Sequence, residues 1–289
     1  MKTNRPSATA RLVAAATLAG FLWKLEPRAT PDAVEMARRG LQRSLAGRLA
    51  RWTIEFPPAR WLSRILERIA LPGFVHHIAR RKAWIDRWAS RSVEEGFRQV
   101  VVLGAGLDAL GLRLSRPPVN ARVIEIDHPA TQALKARVLS DMGPARPTLV
   151  PADLGHQSLS HLPIDTGAET LVVAEGLLMY MPRERVDQLL DETTEITQAR
   201  LRVVLTFMES QAGEPPRFGS AGASVGAWLR AMGEPFRWGT TREEFASALT
   251  SRGLRILELA GERELAEHWP GAIAEGETLL IAERPARPT

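Results

Sequence analysis

Two glycines and two acidic residues stand where they could hold a nucleotide. Gly104 and Gly106 follow a run of valines and a leucine, and Glu125 and Asp127 come about 20 residues later. A glycine turn lets the backbone bend sharply and lets a ligand approach the main chain. An acidic side chain at the end of the next strand can accept hydrogen bonds from the two hydroxyl groups of a ribose. This spacing predicts a site for a cofactor that contains adenosine.

The glycine turn does not by itself identify the cofactor. Gly104, Gly106 and Ala109 also satisfy the G-x-G-x-x-A pattern of proteins that bind NAD. A purely structural turn without a ligand is a further interpretation of the same residues. The choice depends on residues elsewhere in the chain.

Strand and helix patterns alternate around this motif. Short apolar, β-branched runs are separated by segments with helical spacing, which is typical of a doubly wound, mostly parallel sheet. Ligands of such sheets bind beyond the carboxyl ends of the strands, where we expect Gly104, Asp127, Asp153 and Glu175 to converge. The five predicted strands begin near Val100, Val123, Thr148, Glu169 and Arg202.

The last third of the chain predicts a different arrangement. Residues Gln211 to Gly226 form a glycine-rich loop that we expect to be mobile and close to substrate. Two further strands, Leu254 to Leu259 and Thr278 to Glu283, are joined by a segment with little helical pattern. The simplest interpretation is a C-terminal antiparallel hairpin.

The N-terminal part reads as helical. We expect residues 1–79 to form a helical cap and residues 80–289 to form the nucleotide-binding domain. The cap and this domain are expected to form one compact unit. The segment from Ser7 to Leu22 is expected to be a helix packed on that domain. A secretory signal is the alternative, because Lys2 and Arg5 precede the apolar stretch. The stretch is too short to cross a bilayer.

The composition excludes several classes of site. The 289 residues include no cysteine, which excludes a cysteine nucleophile, a disulfide and a thiolate metal site. The six histidines show no spacing typical of metal ligands, so no metal is expected. The net charge of +5 comes from scattered arginines, and we therefore expect no nucleic acid as a partner. No membrane partner is expected either. A cytoplasmic protein is predicted, and its oligomeric state is left open.

Five motifs in order resemble the leucine carboxyl methyltransferase family, and most of all its bacterial, polyketide-type O-methyltransferases. Weaker similarities lie at residues 7–16 and 233–236. The ordered set covers about 100 residues, far more than the glycine turn alone. The motifs are Arg81-x-x-x-Ile85-Asp86, Val102 to Asp108, Glu125 to Pro129 with Lys135, Asp153-Leu154, and Glu175 to Tyr180.

The resemblance implies a class I methyltransferase fold, which is Rossmann-like, with S-adenosylmethionine as the methyl donor. By this resemblance, Arg81 would pair with the donor's methionine carboxylate, although a surface role for this arginine is the alternative. Gly104 and Gly106 would line the methionine and sugar region. Asp127 would bind the ribose hydroxyls, with Glu125 as the fallback.

The resemblance also implies roles at the other two strand ends. Asp153 would accept a hydrogen bond from the adenine amino group, and Leu154 would pack beside the adenine ring. The alternative for Asp153 is a structural role in a turn. Glu175 would lie near the donor's ammonium group, with a structural ion pair as its alternative. Asp108 is expected to cap the following helix. Tyr180 is the only tyrosine in the chain. Its phenol is expected either to contact the donor or the substrate, or to form a hydrogen bond at the start of a helix.

The expected reaction is methyl transfer to an oxygen of a small molecule, with Glu175 and Tyr180 as the catalytic candidates. A carboxylate acceptor is ionised at neutral pH and needs no general base. A phenol would need one, and His128, His156 or Glu175 are then candidates. The resemblance favours methyl esterification of a carboxylate in secondary metabolism. The rival functions are an NAD-dependent dehydrogenase and a non-catalytic module that binds S-adenosylmethionine.

Overall fold

A seven-stranded sheet lies at the centre of the described part of the chain, in the order β3-β2-β1-β4-β5-β7-β6. The computed structural model describes residues 6–119, 121–144, 146–211, 214–219, 223–269 and 274–287. The strands are β1 (Gln99–Leu103), β2 (Arg122–Asp127), β3 (Thr148–Pro151), β4 (Thr170–Ala174), β5 (Leu201–Met208), β6 (Arg255–Ala260) and β7 (Glu277–Arg284).

The first five strands are parallel, as the alternating pattern predicts. Val101 of β1 lies between Ile124 of β2 and Val172 of β4. Strands β1, β4 and β5 are buried along their whole length. Helices cover both faces of such a sheet, which explains why its central strands are continuous apolar runs. The predicted doubly wound α/β fold is confirmed.

The helices on either side of these strands lie close to the segments that have helical spacing in the sequence. The helix after the glycine turn is short (Leu110–Leu114), whereas the helix before β1 (Phe74–Glu94) is long and crosses the predicted boundary between residues 79 and 80. The helices are α1 (Ala8–Leu22), α2 (Pro31–Gln42), α3 (Leu45–Glu55), α4 (Arg60–Ala70), α5 (Phe74–Glu94), α6 (Leu110–Leu114), α7 (Pro129–Leu139), α8 (Arg183–Thr194), α9 (Ala223–Met232), α10 (Arg242–Thr250) and α11 (Glu262–His268).

The C-terminal strands pair antiparallel, as predicted, and β7 inserts between β5 and β6. The connection between β6 and β7 differs from the expectation, because it contains α11. The backbone N–H of Gly261 donates to the Glu264 side chain at 2.7 Å, which caps the first turn. Leu265 is the buried residue of this helix. A seven-residue helix that buries so little has no apolar periodicity to recognise.

The N-terminal helix is built into the fold. Ser7 caps α1 by accepting a hydrogen bond from the N–H of Ala10 at 3.0 Å. A carboxylate from the far end of the chain adds to the cap, because Glu234 accepts from the N–H groups of Ala8 and Thr9, each at 2.9 Å. Negative charge at a helix N-terminus is favourable. Helix α1 is thereby fixed across the carboxyl ends of the strands.

None of the helices within the described ranges combines the length and the apolar character that crossing a bilayer requires.

Candidate functional site

A crevice that is open to solvent lies beyond the carboxyl ends of β1, β2 and β4. Its floor is formed by the turns after these strands, and α1 forms one wall. Of the residues that the sequence predicted for the site, six line it: Arg81, Gly104, Gly106, Asp127, Glu175 and Tyr180. The convergence expected of a parallel sheet is therefore found for these residues.

The glycine turn has the backbone geometry that the sequence indicates. Gly104 and Gly106 have φ angles of +69° and +50°, in the left-handed region that side chains disfavour. A Cβ atom on Gly104 would also lie 2.9 Å from Cδ1 of Leu177. Both glycines therefore keep the main chain exposed to the crevice at a point where a side chain would be strained.

Asp127 ends β2 and is tied to the glycine turn. Its Oδ2 accepts from the N–H of Gly106 and its Oδ1 from the N–H of His128, both at 2.6 Å. Burial raises the pKa of Asp127, and the two backbone N–H groups partly oppose that rise. Each oxygen still has a lone pair for a further donor. This carboxylate can therefore accept hydroxyl groups from a ligand in the crevice.

Glu125, the fallback for the same role, lies elsewhere. Its Oε2 is 2.6 Å from Nζ of Lys135, and the two side chains are 1% and 0% exposed. Burial raises the pKa of Glu125, against the pull of the Lys135 ammonium. A Cβ atom on Gly111 would lie 2.1 Å from Oε1 of Glu125, so α6 packs directly over this carboxylate. Glu125 forms a buried ion pair beneath the crevice and is absent from the described lining.

Arg81 is held by two carboxylates. Its Nε donates to Oε1 of Glu175 at 2.9 Å, and its Nη1 donates to Oε2 of Glu277 at 2.8 Å. Burial opposes its charge, but these carboxylates outweigh burial and raise the pKa of Arg81. His77 Nε2 lies 2.6 Å from the same Glu277 oxygen. Of the arginine's two sequence interpretations, surface charge is wrong, because the side chain is 5% exposed.

Lys82 adds a second cation to the crevice, which sequence reasoning missed. It forms an ion pair with Asp108 and approaches Oε1 of Glu175 at 3.2 Å. Asp108, which was expected to cap the following helix, accepts from the N–H of Leu110, the first residue of α6, at 2.6 Å, but the N-cap position itself is Ala109. Burial opposes ionisation of Asp108, but the Lys82 ammonium outweighs it and lowers the pKa of Asp108 to about 2. Lys82 occupies an unspecified position of the motif Arg81-x-x-x-Ile85-Asp86, so no signal in the sequence marks it.

Glu277 also escaped the sequence analysis, because it belongs to a strand 196 residues beyond Arg81. Its side chain is fully buried. Burial favours the neutral acid, but Arg81 and His77 outweigh it and lower the pKa of Glu277. The sequence contains one signal for this role: Glu277 stands at the start of a predicted apolar strand, and a carboxylate that is buried there needs a charged partner. Glu277 therefore anchors Arg81 from behind the crevice.

Tyr180 lines the crevice beside the cap of α1. Burial raises the pKa of its phenol, so the hydroxyl stays protonated at neutral pH. Its ring lies 5.5 Å from that of Phe236, measured between centroids. Phe236 belongs to the segment 233–236 that carried a weak family similarity, and Glu234 of that segment caps α1. A hydroxyl donor thus stands between the cap and the strand ends.

Asp153 and Leu154 lie outside the crevice lining in the described chain. Oδ1 of Asp153 accepts from the N–H of Gly155 at 3.0 Å, which is the turn geometry of the alternative interpretation. Leu154 is 5% exposed, and its carbonyl accepts from Nε of Arg185 at 2.7 Å. Both follow β3 at the same edge of the sheet as Asp127.

The remaining wall of the crevice is apolar. Phe218 and Val225 belong to the segment expected to lie close to substrate, and they do line the crevice. Part of that segment, residues 212–213 and 220–222, lies outside the described residues, and its end is helical in α9. The other apolar side chains of this wall include Leu12, Val13, Leu71, Phe74, Trp228 and Leu229.

No cluster of three or more histidine or acidic side chains with the geometry of a metal site occurs in the part of the chain that the structure describes.

Comparison with known proteins places this architecture in a family. The model of the family "Leucine carboxyl methyltransferase" matches residues 33–194. A protein of Mycobacterium avium, provisionally named an S-adenosyl-L-methionine-dependent methyltransferase, is 32% identical over 241 residues, which are 80% of this chain and 72% of the relative. A similarly named protein of Mycolicibacterium smegmatis is 31% identical over 201 residues, or 67% of this chain and 62% of the relative.

The fold has a counterpart among solved structures. A provisionally named methyltransferase from Thermobifida fusca superposes with a TM-score of 0.57 at 17% identity, covering 88% of this chain and 95% of the other. At this identity the likeness concerns the fold alone. The chain spans about three fifths of the length of the first curated relatives that it matches. Because the family model matches more than half of the chain, the predicted family is confirmed: the chain belongs to the leucine carboxyl methyltransferase family.

Proposed function

We propose that the protein transfers the methyl group of S-adenosylmethionine to a carboxylate oxygen of a small, apolar acceptor and so forms a methyl ester. The observation that carries this proposal is the division of one crevice into a charged floor and an apolar wall. Arg81, Lys82, Asp127 and Glu175 supply the charges, and the wall is formed by α1, α9 and the segment around Phe74. The family supports the donor, and the wall supports the class of acceptor.

The charges of the floor fit the amino-acid end of the donor. The donor carries a sulfonium, an ammonium and a carboxylate, and hence a net charge of +1. Two cations and three carboxylates give the neighbouring cluster a net charge of −1, leaving aside the imidazole of His77. Because the surroundings have a low dielectric constant, the attraction between these opposite charges is stronger than it would be in water. The members of the cluster are Arg81, Lys82, Asp108, Glu175 and Glu277.

Within this cluster each side chain has a role that its contacts allow. Arg81 and Lys82 would bind the donor's carboxylate, since Arg81 keeps N–H groups beyond those used by its two carboxylates. Glu175 would accept from the donor's ammonium. Its side chain is 13% exposed and points into the crevice. Glu277 acts only through Arg81 and holds the guanidinium in place.

Asp127, and not Glu125, would hold the ribose. Asp127 lines the crevice, whereas Glu125 is committed to Lys135. Asp153 and Leu154 would hold the adenine, with Oδ2 of Asp153 available because Oδ1 serves its own turn. The support for these two is the family pattern and their position next to Asp127 at the edge of the sheet.

Catalysis would rest mainly on positioning. Bound S-adenosylmethionine would supply an electrophilic methyl group. An ionised carboxylate oxygen would take it in line without a general base, so that the ester C–O bond forms as the methyl–sulfur bond breaks and S-adenosylhomocysteine leaves. The protonated hydroxyl of Tyr180 would donate to the acceptor oxygen that does not attack, and so orient the carboxylate. The apolar wall would exclude water from the reacting atoms. Glu175 would fix the donor at its other end.

Labelled methyl donor and a panel of apolar carboxylic acids and phenols test the proposal. A base-labile methyl ester formed from the acids supports it, and an alkali-stable ether formed from the phenols alone would show it to be wrong. The Glu175→Gln variant is expected to lower donor affinity. The Tyr180→Phe variant should lower kcat with little change in donor affinity, which separates the two catalytic candidates.

Two rival functions predict other results. An NAD-dependent dehydrogenase would bind NAD more tightly than S-adenosylmethionine in titration calorimetry. A non-catalytic module would bind the donor tightly without turnover on any acceptor. The family and the charged floor favour transfer over both. We place the reaction in the cytoplasm and in secondary metabolism, and the support for both is the resemblance to the bacterial, polyketide-type members.

A further inference from the structure

Helices α3 and α4 carry most of the exposed apolar surface. Nine of the eleven large apolar side chains that are exposed in the described residues fall between positions 45 and 69. The exposed fractions reach 76% for Leu45 and 74% for Ile69. We call the nine the apolar helical surface. They are Leu45, Leu49, Trp52, Phe56, Trp61, Leu62, Ile65, Leu66 and Ile69.

Helix α4 is turned the opposite way from an ordinary surface helix. None of its residues is buried. Its polar side packs against the protein: Arg60 donates to the carbonyls of Ile54 and Glu55 at 3.1 and 3.2 Å. Glu67 accepts from the N–H of Val75 at 3.4 Å. Since an amphipathic helix in a soluble protein normally buries its apolar side, this orientation requires an apolar or interfacial surrounding.

Helix α3 continues the same surface. Leu45, Leu49, Trp52 and Phe56 recur at helical spacing on one side, while Ile54 on the other side is buried. The rings of Trp52 and Phe56 stack with centroids 5.4 Å apart. Helices α3 and α4 contact each other and both expose their apolar sides, so we treat the two sides as one surface.

The charges around this surface are positive. Arg48, Arg64 and Arg68 are exposed. Arg48 and Arg68 form no ion pair with any residue in the described ranges. The acidic residues of these helices are used locally, because Glu55 pairs with Arg51 at 2.5 Å and Glu67 caps the next helix. An approaching anionic surface would therefore meet uncompensated arginines.

We propose that the apolar helical surface binds the interface of an anionic lipid bilayer, with α3 and α4 lying in the plane of the membrane. Apolar residues with tryptophans on one side and arginines at the rim are the composition of interfacial helices. A second copy of the chain fits less well, because a symmetric dimer would bring the same arginines close to each other. No membrane partner was expected from the sequence. The finding that no helix of the described residues could cross a bilayer does not bear on surface binding.

The apolar helical surface is continuous in sequence with the crevice wall. Leu71 and Phe74 follow α4 directly and line the crevice. Membrane binding would therefore place lipid beside the apolar wall. This consequence rests on the proposed function, but the binding itself does not.

Co-sedimentation of the protein with vesicles tests the proposal without any methyl donor. We expect binding to phosphatidylcholine vesicles that contain phosphatidylglycerol, and much weaker binding to pure phosphatidylcholine vesicles. Leu49→Ser with Ile69→Ser should weaken binding at least tenfold, because two exposed side chains lose their apolar contact. Both residues are exposed, so the unfolding midpoint should stay unchanged. Met232→Ser on α9 is the control.

A second pair of variants tests how much the arginines contribute to membrane binding. Arg48→Gln with Arg68→Gln should weaken binding to the anionic vesicles by about 30-fold, from the effect of two arginines near a charged membrane. The control, Arg146→Gln with Arg183→Gln, removes two exposed charges elsewhere and should retain the wild-type affinity.

Two results would overturn the proposal. One is wild-type protein that stays in the supernatant with anionic vesicles. The other is a concentration-dependent dimer, seen by sedimentation equilibrium, that Leu49→Ser with Ile69→Ser abolishes while vesicle binding is absent. A failure of methyl transfer would leave both measurements unaffected and would refute only the proposed function.

Discussion

The two acidic residues of β2 should respond to substitution in opposite ways. Asp127→Asn is expected to weaken binding of S-adenosylhomocysteine with a modest loss of stability. Glu125→Gln is expected to destabilise the fold while the folded protein keeps its affinity. The reason is that Asp127 lines the crevice, whereas Glu125 lies 2.6 Å from the buried ammonium of Lys135.

The structure sets the size of each effect. Hydrogen bonds to a charged group contribute about 1.5–3 kcal/mol, so losing the charge that holds two ribose hydroxyls should cost about 3 kcal/mol, or more than 100-fold in Kd. Removing one partner of a buried ion pair costs about 3–5 kcal/mol, because the other charge is left uncompensated. For a chain of this size, that lowers Tm by about 10 °C.

Titration calorimetry with S-adenosylhomocysteine and thermal unfolding without ligand measure the two effects separately. The double variant Glu125→Gln with Lys135→Met is the control, since it removes both charges and should recover part of the lost Tm. Calorimetry is done well below the lowered Tm, so that only folded protein is titrated.

The assignment would be refuted if Glu125→Gln raised Kd as much as Asp127→Asn in fully folded protein. It would also be refuted if Asp127→Asn left Kd within about threefold of the wild type, because one hydrogen bond to a charge contributes more than that.

Three further changes should have distinct effects. Gly104→Ala should destabilise the protein by about 2 kcal/mol, because it places a Cβ atom in a left-handed conformation and near Leu177; denaturant unfolding measures this, and an unchanged midpoint would contradict it. Asp108→Asn should cost about 2 kcal/mol at pH 7, because Lys82 lowers the folded pKa of Asp108 from 3.8 to about 2. The stability that this ionised group contributes is complete above pH 3.8 and is lost as the pH falls through about 2, so wild type and variant should converge in acid. Glu234→Ala should release the cap of α1 and cost about 2 kcal/mol, with faster amide hydrogen exchange at the start of that helix.

The sequence by itself determined the sheet and the centre of the site. The apolar run before Gly104, the acidic end of β2 and the alternation of strands with helices are local patterns, and each fixes backbone geometry within a few residues. Parallel strands bring their carboxyl ends together by topology, so Gly104, Asp127 and Glu175 could be placed in one crevice without knowledge of the packing. Asp153 was placed there by the same argument but lies outside the described lining.

The tertiary structure decided which charges pair. Arg81 meets Glu277 from a strand 196 residues away, and no pattern in the sequence links the two. Glu125 and Asp127 lie two positions apart on one strand, yet only packing of α6 and Lys135 over the first shows that it is buried. Long-range pairing depends on burial, and burial is a property of the whole fold.

The orientation of α4 was also decided by the tertiary structure. The amphipathic spacing of α4 predicts a helix with one apolar side, but the same spacing is compatible with that side facing inward or outward. Hydrogen bonds from the polar side of α4 to the protein settle it outward. Periodicity determines which residues share a face, whereas the contacts of the folded chain determine what that face meets.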